Sequence, residues 1–527
     1  MDRADILIGI DAGTSVIKAV AFDMAGHQIG AFSVPNRYLT AKGGAATQSM
    51  DRTWRDCAAA LRGLGEAIDG LAGRVAALSV TGQGDGTWLV GPDGPVGDAW
   101  LWLDARAAPT VARLAASPAN RARFEATGTG LNTCQQGAQM AHMDTHAPDM
   151  LDRAEVALHC KDWLYLNLTG QRATDPSEAS FTFGNFRHRR YDDTAIAALG
   201  LSHRRALLPE IVDGSQATHP LTGDAARQTG LRAGTPVSLG YVDMVMTALG
   251  AGVYGGTAGD VACSTVGSTG VHLRAVAAGD VQLNQQGTGY VICLPIPGIV
   301  TQVQTNMAAT LNLDWVLGIA AGILSDLGRP VTHRDLVAHL DEWLGQARPG
   351  QIVYHPYISD AGERGPFVNA DARAGFVGLA SGHRYPDLVR AVAEGLGMAM
   401  RDCYAAMGPL PAELRLTGGA ARSPALRGIL SAALAAPVRV SARDEAGAAG
   451  AAMMAAVAIG AYPDMEACIA EWVTPLLGKA EAPDPALMAA YDGLFPAFSA
   501  ARHALPPVWD ALAAARAAFA KGQQDEQ

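Results

Sequence analysis

At 527 residues the chain is too long for one ordinary domain, and its 49% hydrophobic and 17% charged residues supply cores for two large α/β domains. Its 40 basic and 51 acidic residues leave a formal charge of −11 with no Lys/Arg cluster, which argues against nucleic acid or an anionic membrane as partner but leaves local phosphate sites open. Seven scattered cysteines without a Cys-x-x-Cys pair exclude a disulfide framework and a zinc set, and fit a reducing, cytoplasmic location.

The chain runs straight from Met-Asp-Arg-Ala-Asp into an apolar, β-branched stretch at 6–10, so no signal peptide is expected. That stretch predicts a buried strand ending on Asp11. A tight Gly13-Thr14-Ser15 turn follows, then a second strand over 16–22 that carries Lys18. A hairpin with a small, hydroxyl-bearing turn lets backbone N–H groups approach an anion, while Asp11 suits a hydrated Mg²⁺ rather than phosphate. An ordinary hairpin whose Asp caps the turn would read the same way. The unit opens no helix and lacks Gly-x-Gly-x-x-Gly, and no Gly-x-x-x-x-Gly-Lys-[Ser/Thr] occurs, so the dinucleotide turn and the P-loop are both removed.

Residues 52–67 predict a helix and 75–80 a strand. The loop from Thr81 to Trp88 interleaves glycines with Gln83 and Asp85, beside Gly84. It suits a hydroxylated ligand, or is a plain turn with a solvated Asp. Trp102 and Asp104 come next as a second wall, Asp104 reading equally well as a turn residue. His142, His146 and His159 match neither one helical face nor a closed zinc set and are expected in surface or packing roles. The Gly-, Pro- and Thr-rich stretch 209–236 reads as a connecting region.

A strand at 236–239 runs into Gly240-Tyr241-Val242-Asp243 and an apolar helix over 244–252. Asp243 stands where a carboxylate can project into an interdomain crevice and take a proton from a hydroxyl, or cap the helix, and both can hold at once. The strand 261–266 with Gly267-Ser268-Thr269-Gly270 repeats the opening hairpin, which suggests duplicated halves. Helices are predicted over 387–407 and 423–435. Between them, Thr417-Gly418-Gly419-Ala420-Ala421-Arg422-Ser423 permits backbone to lie against a flat ring such as adenine, or is a plain strand-to-helix turn. The Ala/Gly-rich tract 446–461 is too short to cross a bilayer and reads as a buried helix behind that platform. The polar tail is expected to fray. The halves divide as 1–248 and 249–505, with 506–527 a helix end and tail.

In this order, and with Gly362-Glu363-Arg364-Gly-Pro366 and Glu394-Gly395 added, these segments resemble the FGGY family of carbohydrate kinases over nearly the whole chain. The resemblance implies two ribonuclease-H-like domains of the actin/Hsp70/sugar-kinase superfamily flanking a catalytic cleft, with ATP and Mg²⁺ as cofactors. It makes Asp243 the base, in contact with substrate and, with Asp11, with the metal. Gly13, Thr14, Ser15 and Lys18 match the first phosphate turn, and Gly267, Ser268 and Thr269 the second. Gly418, Gly419, Ala420 and Ser423 match the adenosine site, while Gln83, Gly84, Asp85, Trp102 and Asp104 face the substrate. Where glycerol kinases carry Arg-Glu and xylulokinases Met-His, this chain has Gly84-Asp85, so an enlarged pocket that keeps an acceptor is expected. Segments 81–88, 100–107 and 130–139 are similar to those of bacterial erythritol kinases, implying a small polyol phosphorylated at a primary hydroxyl. A xylulokinase-like ketose kinase and an actin/Hsp70-like switch ATPase are the alternatives. No nucleic acid or membrane partner is implied, and a homodimer is allowed.

Overall fold

The computed structural model describes residues 4–255, 257, 259 and 261–525, with side chains as far as 519. Two six-stranded sheets organise it. In the first, β1 (Ile6–Ala12), β2 (Val16–Asp23) and β3 (Gln28–Pro35) form an antiparallel meander. β4 (Val75–Gly82) pairs parallel with β1, and β6 (Pro236–Leu239) pairs parallel with β4; the edge strand β5 (Thr218–Pro220) closes that side.

The second sheet repeats the plan. β7 (Val261–Val266), β8 (Gly270–Ala277) and β10 (Ile299–Asn306) form the meander, with β9 (Tyr290–Cys293) on its edge. β11 (Glu413–Thr417) and β12 (Val438–Val440) continue it in parallel. Both hairpins singled out in the sequence are therefore the first two strands of equivalent sheets, and each sheet is ribonuclease-H-like.

Alternation along β1 divides two cores: Ile6, Ile8 and Ile10 pack with helix α1 (Met50–Ala67), while Leu7 faces a central core. α1 buries Trp54, Cys57, Ala58, Leu61 and Leu64 at helical spacing, and its N-cap Ser49 accepts the Arg52 N–H. The central core joins the halves. Leu7 and Phe22 of the first sheet and Leu273 and Val303 of the second share it with two helices, α4 (Asp243–Ala251) and α7 (Ala446–Ala458).

The Ala/Gly-rich helix is buried, but not behind the adenine platform. α7 lies on β1 and α4, and its stripe of small residues permits backbone contact on both sides. A Cβ at Gly9 would collide with the Ala448 carbonyl, one at Gly250 with that of Ala446, and one at Gly450 with that of Met246. Two other expectations change. The stretch 209–236 holds β5 and a helix, Gly223–Thr229, capped by Thr222, so it is part of the first domain's frame. The tail is helical from Pro506 to Asp525, anchored by Trp509 stacked on Phe367 at 6.0 Å; Glu526 and Gln527 lie outside the described residues. All seven cysteines are buried and free, and no described helix is long and apolar enough to cross a membrane.

Candidate active site

β1, β4 and β6 run parallel, so their C-terminal ends open on one edge of the sheet, the ligand-binding edge of open α/β sheets. That edge carries Asp11, Gln83 and Asp243. Asp243 Oδ1 accepts the Met244 N–H at 2.6 Å, and the Gly84 N–H also bonds the carboxylate, so the helix-start and crevice positions coincide. Burial pushes the Asp243 carboxyl up to about 7, and the Asp11 charge adds to it. Burial likewise pushes Asp11 up to about 6, against the pull of Lys18. Lys18 is opposite Asp11 in the hairpin, and its ammonium is held by Glu445 at 2.7 Å, just before α7.

Two half-buried carboxylates whose ionised forms are disfavoured make a pair that a divalent cation would relieve. No cluster of three or more metal-ligating side chains exists among the described residues. A cation held by one or two carboxylates and completed by phosphate oxygens and water, as Mg²⁺ prefers, fits that donor set.

The raised Asp11 value has a stability consequence. A carboxyl with a folded pKa above its unfolded one favours folding while protonated and loses that contribution as pH rises through both values. Asp11→Asn is therefore expected to raise the melting temperature of the ligand-free protein at pH 8 and to raise it less at pH 5. An unchanged or lower melting temperature at pH 8 would count against this electrostatic picture.

Both hairpin turns are built to present N–H groups. In the first, the carbonyls of Gly13, Thr14 and Ser15 are tied back by Asn36 and Gln48. In the second, Thr310 N–H and Ala309 N–H bond the Gly267 and Ser268 carbonyls at 2.8 and 2.7 Å. The N–H groups of Thr14, Ser15, Ser268 and Thr269 have no hydrogen-bond partner among the described residues. Two such turns are anion cradles.

The loop from Thr81 to Trp88 is wired to the first turn. Gln83 Oε1 accepts from Thr14 Oγ1 at 3.0 Å, Gln83 Nε2 donates to Gln48 at 2.8 Å, and Trp102 Nε1 donates to Thr14 Oγ1 at 2.9 Å. Asp85 is held in the left-handed region at φ 58°, with Oδ1 buried and unpartnered. Gly84 does not widen the pocket as expected. A Cβ there would collide with Val242 Cγ2 and sit 3.3 Å from Glu178 Oε1, so the glycine brings the loop against the residue preceding Asp243. Asp104 is fully buried and bonded to the Ala46 N–H at 2.8 Å and to Arg106, whose guanidinium covers Trp100. It pins the segment beneath Trp102, which itself is 38% exposed.

Behind this loop lies a buried charged cluster that sequence reasoning missed. Lys161 pairs with Asp162 at 2.6 Å and Asp175 at 2.5 Å, and His159 with Asp162 at 3.0 Å. Burial works against the Lys161 charge, but Asp162 and Asp175 hold its ammonium above the usual range. Glu178, whose Oε2 pairs with His159 Nε2 at 3.5 Å, is pushed by burial up to about 8. These residues are spread from 159 to 178, and no spacing rule groups them. His142 and His146 pack ring against ring, tilted by 39° with centroids 4.4 Å apart.

On the second sheet, Thr417 bonds Thr265 at 2.9 Å, bringing the glycine turn beside the second cradle. Gly418 has φ 86° and no room for a Cβ against the Val266 carbonyl, whereas Gly419 faces open space. Ala420 turns inward to the core. Ser423 caps the helix α6 (Pro424–Leu434) and bonds Asp341, so its hydroxyl is committed there. No hydrogen bond or ion pair among the described residues joins Gly418, Gly419 or the second cradle to the Asp11–Asp85–Asp243 group.

The model of the FGGY family of carbohydrate kinases, N-terminal domain, matches residues 6–250, and that of the C-terminal domain residues 267–459. The chain is 71% identical to an erythritol kinase of Brucella abortus (strain 2308), over 98% of this chain and 99% of that protein. It is 28% identical to a xylulose kinase of Escherichia coli (strain K12), over 80% and 84% of the two chains. A crystal structure of xylulose kinase from Rhodospirillum rubrum superposes with a TM-score of 0.86 at 24% identity, covering 96% of this chain and all of the other.

Proposed function

This chain belongs to the FGGY family of carbohydrate kinases, and we propose that it transfers the terminal phosphoryl group of ATP to a primary hydroxyl of erythritol. The observation that carries the reading is the pair of outward-facing amide turns on equivalent sheets, combined with a carboxylate at the strand edge beside a polar, hydroxyl-seeking loop.

Asp243 takes the proton of the substrate hydroxyl as that oxygen bonds to the γ-phosphorus and the bond to the ADP oxygen breaks. A base with its pKa near neutrality is suited to this, being ionised at working pH yet basic enough to take the proton. The N–H groups of Thr14, Ser15, Ser268 and Thr269 hold phosphate oxygens and stabilise the charge that spreads over them. Asp11 and Asp243 would hold Mg²⁺, which neutralises phosphate charge when bound. The Gly418–Gly419 backbone offers the face for adenine. Gln83, Asp85 and Trp102 orient the polyol, with Asp104 as the support beneath them. We assign the polyol site to residues 1–248 and the nucleotide side to 249–505, with the buried, unoxidised cysteines supporting a cytoplasmic location.

A coupled ADP-release assay across erythritol, glycerol, pentitols and xylulose tests the reading. Erythritol is expected to show the highest kcat/KM. Preference for xylulose would replace the substrate assignment, and ADP release indifferent to acceptor would point to a switch ATPase.

A further inference from the structure

Arg364 comes from the second half of the chain but is electrostatically coupled to the substrate loop of the first. Its backbone is fixed by the preceding Glu363, whose carboxylate accepts the Met307 N–H at 3.0 Å and the Arg364 N–H at 2.9 Å. Its Nε donates to Thr305 Oγ1 at 3.1 Å, while its two terminal nitrogens have no hydrogen-bond or ion-pair partner among the described residues. The charged and polar groups its guanidinium feels are Tyr290, Cys134, Glu363 and Asp85, and both Asp85 and Cys134 feel it in return.

Asp85 and Arg364 are thus close enough to influence each other, yet they form no salt bridge. Asp85 Oδ1 is buried without a partner, while the carboxylate is held by a hydrogen bond from the Cys134 side chain. Tyr290 completes the polar wall: its hydroxyl bonds Cys134 and accepts from Asn132 at 3.4 Å, both on the 130–139 segment. A carboxylate with one buried oxygen still unmet and a guanidinium fork with both terminal nitrogens free share one polar space, and each keeps hydrogen-bonding capacity for a ligand. A hydroxyl meets both needs, since it donates to the carboxylate and accepts from the guanidinium, and a vicinal diol matches the paired geometry of the fork.

We propose that Arg364, with Asp85, binds the hydroxyls of the polyol farthest from the one phosphorylated, so that the second domain completes the specificity pocket. The proposal rests on the kinase reading above. It also accounts for the loop: with Gly84 lying against Val242, the cation that recognises the polyol comes from across the cleft.

The test compares erythritol with glycerol, one CHOH shorter, in the full-length protein. Arg364→Gln is expected to raise the KM for erythritol about 100-fold with kcat within roughly threefold, while kcat/KM for glycerol falls less than about fivefold, because a site built to hydrogen-bond a hydroxyl loses binding steeply when the charged partner is removed. The erythritol-to-glycerol preference should therefore collapse, which a merely structural role would not produce. Should that variant misfold, Arg364→Lys, which keeps the charge and loses the fork, is expected to lower the same preference at least roughly fivefold. An unchanged KM and an unchanged preference in a folded variant overturn the proposal. If the unsubstituted protein turns over no polyol, the kinase reading fails and this proposal with it; if it turns over erythritol and the variant keeps the preference, only this proposal fails.

Discussion

Asp243→Asn is expected to lower kcat about a thousandfold while ATP affinity stays within roughly threefold, since a positioned general base contributes about 10²–10⁴. The substitution separates the proposed base from the helix-start hydrogen bond that the same side chain makes. An asparagine Oδ1 can still accept the Met244 N–H that Asp243 accepts at 2.6 Å, so α4 keeps its start. It cannot take a proton from an alcohol. Removing a charge that burial disfavours also relieves the apo protein, so the variant should be at least as heat-stable at neutral pH. Steady-state kinetics with calorimetric nucleotide binding decides the matter: turnover within tenfold of the unsubstituted enzyme rejects the base assignment, and loss of ATP binding would show damage beyond the chemistry.

The second large effect is one of backbone packing. Gly9→Ala should cost about 3 kcal/mol or more, because overpacking against backbone leaves no flexible side chain to yield. The new Cβ would overlap the Ala448 carbonyl, with the carbonyl carbon only 2.6 Å away. Relief requires α7 to move, and α7 carries Gly447, where a Cβ would already lie 3.1 Å from Asp11 Cγ and from Thr247 Oγ1. The strand edge that holds Asp11 and the helix that starts at Asp243 would shift together, so folding and turnover fall together. Gly65 is the control: it sits in α1 facing open space, and Ala there should be neutral or stabilising by about 0.5–1 kcal/mol. Denaturant midpoints of the two variants check this, and a Gly9→Ala midpoint equal to that of the unsubstituted protein would contradict the packing.

Much of the frame was legible in the residues. The apolar runs at 6–12 and 261–266 are strands because β-branched side chains and flanking small turns leave few other choices, and their likeness anticipated two sheets of one topology. The stretch 209–236 misled because Gly, Pro and Thr mark loops on average, whereas β5 is ordered by pairing with β6 and its neighbouring helix by the Thr222 cap. Gly84 misled for a related reason. A glycine in a loop reads as space, and only the position of Val242 shows that the missing side chain is needed for contact.

Sequence by itself determined the strand–turn–strand units, the carboxylates at their ends and the family they resemble, because these depend on short-range propensity and on the order of motifs. Tertiary structure alone decided what those residues meet. Gly9 against Ala448, Lys18 against Glu445 and Asp85 near Arg364 are partners separated by hundreds of positions, brought together when the two sheets share a central core. No local window carries such a pairing, since its energy exists only once both surfaces are buried. That is why the motifs were readable along the chain and the contacts between its two halves were not.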